Sequence, residues 1–266
     1  MELTFVNPGI EYMLERIMEF QAAHTSSFWA DPLFHFYPQL SKEHALALPY
    51  DKRSRYLSQE LRQIYPSIKN TIDRKVPLYA LRWDACKGQI TAALSEAFDC
   101  DCDAILNDMQ CRVSMNPIEP RFLAEHSFDI FYLNSEKGAI GEAIHEIIHL
   151  VWFHVWHDLF GDSWDEYESP SLKWILSEMV VESIMRDNRL SSINPYFPRE
   201  KGGCIYPYFF TMKTDNRPTL DVLDTMYHSC SIGEFMRKSY AYCQKHEQEI
   251  RRHIKQSENR VIGLLR

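Results

Sequence analysis

The chain of 266 residues contains little glycine, and it lacks any long apolar run. Its 9 glycines are too few for an all-β fold with many tight turns. A membrane helix needs roughly 18 consecutive apolar residues. The longest candidate, residues 143–160, is interrupted by four histidines, a glutamate and an aspartate. No glycine-rich phosphate loop, Gly-x-Ser-x-Gly motif or dinucleotide fingerprint is present. The sequence therefore predicts neither a membrane span nor these nucleotide and serine-hydrolase sites.

The chain also lacks an excess of positive charge. Lysine and arginine number 29 against 37 aspartates and glutamates, a formal net charge of −8, which argues against nucleic acid as a partner. The N-terminal stretch carries acidic residues where a signal peptide needs lysine or arginine. The seven cysteines are odd in number and show no disulfide-framework spacing. Reduced thiols and a cytoplasmic location are therefore expected.

The remaining sequence is rich in residues that favour helices, and apolar residues recur at helical spacing in residues 9–24, 53–72 and 88–98. Two later segments, "MQCRVSMNP" and "SFDIFYLN", are typical of short strands. We expect an α+β fold that is predominantly helical. Residues 1–105 would form a helical N-terminal region and residues 106–266 a region with a small sheet, although one continuous domain is also compatible with the pattern.

The segment "GEAIHEIIHLVW" lies in an expected helix over residues 139–160. His145 and His149 are four positions apart and so lie on one face of that helix, where two imidazoles can bind one metal ion. Glu146 follows the first histidine and could act as a general base on a metal-activated water. The alternative is an amphipathic helix with an ordinary polar face.

A catalytic zinc needs a third protein ligand, and Val155 stands where the metzincin pattern would supply a histidine. The better candidate lies downstream in "LSEMVVES", where Glu178 and Glu182 are four apart on a strongly apolar helix that begins near Pro170. Buried carboxylates are rarely left unpaired. Glu178 could instead be a solvated helix edge or a salt-bridge partner of Arg186 or Lys173.

Residues 145–182 resemble the active-site helices of gluzincin metallopeptidases, the thermolysin-like clan. The resemblance implies a zincin-like core in which His145, His149 and Glu178 bind one Zn²⁺ and Glu146 is the general base. Glu182 replaces the usual aspartate and would orient a ligand histidine without itself binding the metal. The segment "SFDIFYLN" would be the edge strand that pairs with extended substrate.

Members of that clan also use a tyrosine or histidine to stabilise the oxyanion. His228 is the first choice for this role and Tyr227 the second, with Tyr206 and Tyr208 as further alternatives.

The expected function is a zinc-dependent metallopeptidase acting on a peptide or protein substrate. One alternative is a catalytically inactive binding or regulatory protein that keeps a zincin fold and its metal site. Another is a purely structural helical protein with an accidental motif. The sequence leaves the substrate and the oligomeric state open.

Overall fold

The computed structural model describes residues 1–22, 25–194 and 205–264, and most of these residues are helical. In chain order, the helices of the described ranges are α1 Ile10–Glu19, α2 Ser27–Phe36, α3 Lys42–Ala47, α4 Tyr50–Asp84, α5 Lys87–Phe98, α6 Cys102–Ile105, α7 Glu136–Phe160, α8 Leu172–Arg186, α9 Asn188–Ser191, α10 Thr219–Tyr227, α11 Ile232–Lys245 and α12 Glu247–Leu264. None of them is long and apolar enough to cross a membrane. The predicted predominance of helix is confirmed.

A four-stranded mixed sheet lies among these helices, in the order β1-β2-β4-β3. Its strands are β1 Leu3–Val6, β2 Met109–Ser114, β3 Arg121–Phe122 and β4 Ser127–Phe131. The first, second and fourth strands are parallel, and β3 is antiparallel to β4. The segment "SFDIFYLN" is therefore not the edge strand: β4 pairs on both sides, and β3 forms the edge.

The N-terminal region is not a separate helical unit. Strand β1 pairs with β2 over four residues, beginning with Leu3 opposite Met109. The predicted boundary near residue 105 therefore lies between two strands of a single sheet. The sequence did not predict β1 because the strand has only four residues and is followed directly by Asn-Pro-Gly. Its hydrogen bonds come from a partner strand about a hundred positions away.

Helix α4 is longer than predicted and continues through Pro66 and Pro77. A proline inside a helix removes one backbone hydrogen bond and crowds the preceding turn. Tertiary packing outweighs this cost here, because Ile72, Tyr79 and Trp83 are almost completely buried.

Helices α7 and α8 form the frame of the candidate site, and their local sequence explains where they begin. The side chain of Ser135 accepts a hydrogen bond from the Gly138 amide and caps α7. Ser171 caps α8 by accepting a hydrogen bond from the Trp174 amide, and the helix begins beside Pro170 as the sequence predicts. Gly161 ends α7 in the left-handed conformation that glycine adopts without strain.

These two helices pack against each other and are apolar on almost every side. Helix α7 also contacts strand β4 and helices α4 and α5. A helix that is apolar all round belongs in the interior. Polar side chains on α7 and α8 are thus carried into the core, where they need partners.

Candidate metal centre

Helix α7 brings His145 and His149 together as their spacing predicts. Their Nε2 atoms are 3.1 Å apart, and both side chains are buried. One turn of helix places the two imidazoles above one another with the same nitrogen directed at a common point.

Helix α8 adds Glu178 from the opposite side of that point. Its Oε2 lies 3.7 Å from Nε2 of His145, and its Oε1 lies 3.5 Å from Nε2 of His149. The ligand atoms of the three residues all lie within 4.8 Å of one another. The predicted trio therefore converges across two helices.

The arrangement fits one zinc ion. Two ligands bound to a tetrahedral zinc at about 2.0–2.2 Å lie about 3.3–3.6 Å apart. The observed separations of 3.1, 3.5 and 3.7 Å bracket that range. Two histidines with one glutamate are also a donor set that zinc hydrolases use, with a further position for water.

The charge states of these groups suit a cation. Burial, reinforced by the positive charge of Arg121, lowers the pKa of His149 to about 3, so its imidazole is neutral. Burial opposes ionisation of Glu178, but His149, His145 and Arg121 outweigh it and hold its pKa well below the usual value. Neutral imidazole and carboxylate are the forms that bind metal.

Glu146 lies beside the trio without belonging to it. Its Oε1 is 3.8 Å from Nε2 of His145, and its Oε2 has no hydrogen-bond partner among the described residues. Burial raises the pKa of Glu146 to about 7, although His145 and Arg121 act in the opposite direction. A carboxyl group in this position can take up and release a proton near neutrality.

Arg121, on edge strand β3, contacts the predicted third ligand. Its Nη1 donates to Oε1 of Glu178 at 3.0 Å, and both side chains are more than nine-tenths buried. Glu178 does not form the ion pair with Lys173 or Arg186 that the sequence offered as an alternative. Lys173 pairs with Asp162 and Glu166 instead, and Arg186 has a different partner.

That partner is Glu182, whose Oε1 lies 3.5 Å from Nη1 of Arg186 while its side chain is completely buried. Glu182 does not form the expected contact with His149. Nδ1 of His149 has no hydrogen-bond partner within the described ranges. Glu182 and Arg186 are one helical turn apart on α8, which places the two side chains within reach of each other.

A cavity of about 840 Å³ adjoins the centre. Its walls include the segment Ile118–Arg121, which leads into the edge strand, and the side chains of Trp174, Ile175 and Tyr206. Arg121 lines the cavity and donates a hydrogen bond to Glu178, so it connects the cavity wall with the third ligand. Its volume falls in the range of small-molecule and peptide sites.

Tyr206 lines the cavity together with Tyr208. Burial, followed by the negative charge of Glu178, raises the pKa of the Tyr206 phenol well above its usual value. The hydroxyl therefore stays protonated and can donate. Tyr206 was only a further alternative in the sequence, and its position in the cavity wall makes it the better candidate for the oxyanion role.

Tyr227 and His228 line a different cavity, together with Glu96 and Arg189. The Tyr227 hydroxyl donates to Asp187 at 3.2 Å and accepts from Arg189 at 3.2 Å. Nε2 of His228 lies 3.7 Å from Asp224, and the His228 side chain is 56% exposed. The structure thus does not bring these two residues to the cavity beside the trio. Distance along the chain was a poor guide to distance in space.

Two further acids lie beside the trio. Glu119, on the cavity wall, accepts hydrogen bonds from the Phe131 amide and the Asn134 side chain. Burial, followed by the charge of Glu119, raises the pKa of Glu142 to about 8. The pair therefore holds a proton near neutral pH.

A second group of possible ligands consists of Asp215, His246 and Glu249. Nε2 of His246 lies 3.4 Å from Asp215, and its Nδ1 lies 3.3 Å from Glu249, so the carboxylates approach opposite nitrogens of one ring. Lys245 lies 3.5 Å from the same Asp215 oxygen. This geometry is that of an exposed ion-pair group, and it is the weaker metal candidate.

Arg121 gave no signal in the sequence, because a two-residue strand 57 positions before Glu178 has no local pattern that marks it. No protein-family model, curated protein or solved structure matches this chain. The geometry of the site is therefore the basis on which a function can be proposed.

Proposed function

We propose that the chain is a zinc-dependent hydrolase that cleaves peptide bonds, with a gluzincin-like arrangement of catalytic groups. The observation that carries the proposal is the convergence of His145, His149 and Glu178 within 4.8 Å, with Glu178 hydrogen-bonded to the cavity-lining Arg121. Glu146 adjoins them, as a general base must. Peptide or protein is the substrate class that the clan resemblance and the size of the cavity favour.

His145, His149 and Glu178 would hold the ion, and Arg121 would fix the orientation of the Glu178 carboxylate through its hydrogen bond. When bound, zinc supplies Lewis acidity that polarises a carbonyl and makes water nucleophilic near neutral pH. Zinc is favoured over magnesium or calcium because two of the ligands are nitrogens.

The protein side chains account for proton transfer in this scheme. Glu146 accepts a proton from the attacking water and delivers it to the nitrogen of the departing amine. Tyr206 donates its hydroxyl hydrogen to the carbonyl oxygen as negative charge develops there. The apolar walls at Trp174 and Ile175 limit the access of competing water.

A cytoplasmic location is part of the proposal. The six cysteines within the described ranges are all free thiols, which supports a reducing compartment.

Glu146→Gln tests the reaction. The amide cannot act as a base but has almost the same shape, so we expect zinc to be retained and peptide hydrolysis to fall by at least about 10²-fold. Hydrolysis of a mixture of synthetic peptides by the full chain is followed by mass spectrometry, beside zinc content. Full turnover by Glu146→Gln would exclude this mechanism.

One observation favours a second candidate, a metal-binding protein without peptidase activity. His145, His149 and Glu178 converge within 4.8 Å, but none of the three lines the cavity that would admit a peptide. Zinc binding with no peptide cleavage by the wild-type chain, under every substrate mixture tried, would support this candidate over the enzyme.

A further inference from the structure

Arg121 carries an unused hydrogen-bonding edge. Nη1 is engaged with Glu178, while Nε and Nη2 have no hydrogen-bond partner among the described residues. The side chain is 8% exposed, and its guanidinium lies over the Phe153 ring at 5.6 Å from the ring centroid. Buried donors without partners are rare in folded proteins, because each costs the free energy of its lost hydration.

The two free donors lie on the same edge of the planar guanidinium. N–H groups on that edge are parallel and match the two oxygens of a carboxylate. Arg121 also lines the cavity, so this unpartnered edge belongs to a side chain at the wall of the space in which a ligand would bind. The geometry is that of a bidentate carboxylate anchor.

The anchor lies very close to the metal position. Nη1 is 3.0 Å from Oε1 of Glu178, and a carboxylate ligand oxygen lies about 2.0–2.2 Å from zinc. A residue of extended chain spans about 3.3–3.6 Å. The Nε and Nη2 edge lies on the side of the guanidinium opposite to Nη1, so a carboxylate held there stands roughly one or two residues from a carbonyl at the metal position.

We propose that Arg121 binds the C-terminal carboxylate of a peptide, so that the site releases the last residue of its substrate. This rests on the proposed hydrolase function and deepens it. Water adds its oxygen to the carbonyl carbon of the last peptide bond and the C–N bond breaks. Glu146 carries the proton from water to the amine, and the products are a shortened peptide and a free amino acid.

The acidic side chains of the cavity walls mean that a carboxylate needs a dedicated partner to bind there. These walls carry the acids Glu19, Glu119, Glu168 and Glu258, which repel an anion that has no dedicated partner. Arg251 and Lys255 lie in the same walls. Arg251 already bonds Glu247 and the carbonyl of Pro170, so it offers a matched control for positive charge alone.

The test is calorimetric binding of two probes, N-acetyl-Leu-Leu and its C-terminal amide, to the full-length Glu146→Gln protein with and without zinc. We expect the free acid to bind at least about tenfold more tightly than the amide. This preference should vanish in Arg121→Gln, persist in Arg251→Gln and be reduced in Arg121→Lys, which keeps the charge but not the parallel donors.

Equal binding of acid and amide would overturn the anchor, and that comparison needs no Arg121 variant to fold. A third probe, N-acetyl-Leu-Asp amide, separates a terminal carboxylate from an acidic side chain. Tight binding of this probe would also reject the C-terminal assignment.

The two proposals can fail separately. Acid preference in a protein that binds no zinc would retain the anchor and reject the hydrolase. Zinc-dependent cleavage with no acid preference would retain the hydrolase and reject the anchor.

Discussion

Glu178 sits on an apolar helix and is enclosed among two histidines and one arginine. A buried carboxylate is stable only where cations or hydrogen-bond donors replace its hydration. Arg121 supplies one full positive charge, and the two imidazoles offer lone pairs to a second cation. At this scale, the residue types and their distances are what favour a metal centre over an ordinary buried ion pair.

Two tyrosine variants test which residue stabilises the oxyanion. Tyr206→Phe removes the hydroxyl of a cavity-lining side chain, and we expect kcat to fall by about 10²-fold with little change in KM. Tyr227→Phe removes a hydroxyl bound to Asp187 and Arg189, and should leave kcat unchanged. Steady-state kinetics on one peptide would compare the two. A large loss in Tyr227→Phe alone would restore the sequence-based choice.

Asp129 gives a prediction about stability. It is fully buried in strand β4 and accepts a hydrogen bond from Tyr12 at 2.8 Å. Burial raises its pKa from 3.8 to about 7, against the opposing effects of Tyr12 and Arg112. Between these pH values the folded protein keeps a proton that the unfolded chain releases, so stability falls as pH rises through this window.

Asp129→Asn cannot ionise but can still accept the Tyr12 hydrogen bond. We expect the variant and the wild type to be similarly stable near pH 4, and the variant to be the more stable near pH 8. Urea unfolding of both proteins across this range would measure the difference in free energy of unfolding. A difference that does not change with pH would contradict the buried, protonated carboxyl.

At the scale of elements, α7 and α8 hold the ligands in place, and their sequences allow much of this frame to be predicted. The spacing of His145 and His149, the cap at Ser171 and the acid on an apolar helix are all local patterns. Edge strand β3 could not be predicted in this way, since two residues carry no periodicity and pair only with β4. The position of Arg121 followed from that pairing.

The N-terminal cap of α8 should affect zinc binding more than the N-terminal cap of another helix does. Ser171→Ala removes the hydrogen bond to the Trp174 amide and should cost about 1 kcal/mol of stability, with weaker zinc binding because Glu178 lies on the same helix. Ser231→Ala removes a similar cap from α11 and is the matched control. Urea unfolding and zinc titration would compare them. Equal zinc affinity in both variants would show that the α8 start does not position Glu178.

At the scale of the whole molecule, distant segments meet around one cavity. Trp29 comes from α2, Arg121 from β3 and Tyr206 from the chain that follows residue 204. The first strand completes the sheet from the opposite end of the sequence. Contacts of this kind depend on tertiary packing, which explains why local sequence patterns mark the proposed ligands but do not indicate Arg121 or the pairing of the first strand.

A metal that binds only the folded chain stabilises it by mass action, by about 2.7 kcal/mol at a free concentration one hundred times the dissociation constant. Zinc should therefore raise the melting temperature of the whole molecule. It would do so through the trio and not through Asp215, His246 and Glu249, where Lys245 already lies beside the shared carboxylate.

The most direct measurement of the central claim is zinc stoichiometry of the purified chain by mass spectrometry, in wild type, Glu178→Ala and His246→Ala. We predict one zinc per chain in the wild type and in His246→Ala, and a large loss of zinc in Glu178→Ala. Zinc should raise the melting temperature of the wild type and of His246→Ala only. No zinc in the wild type after zinc is supplied, or zinc that survives Glu178→Ala and disappears in His246→Ala, would contradict the assignment of His145, His149 and Glu178 as the metal centre.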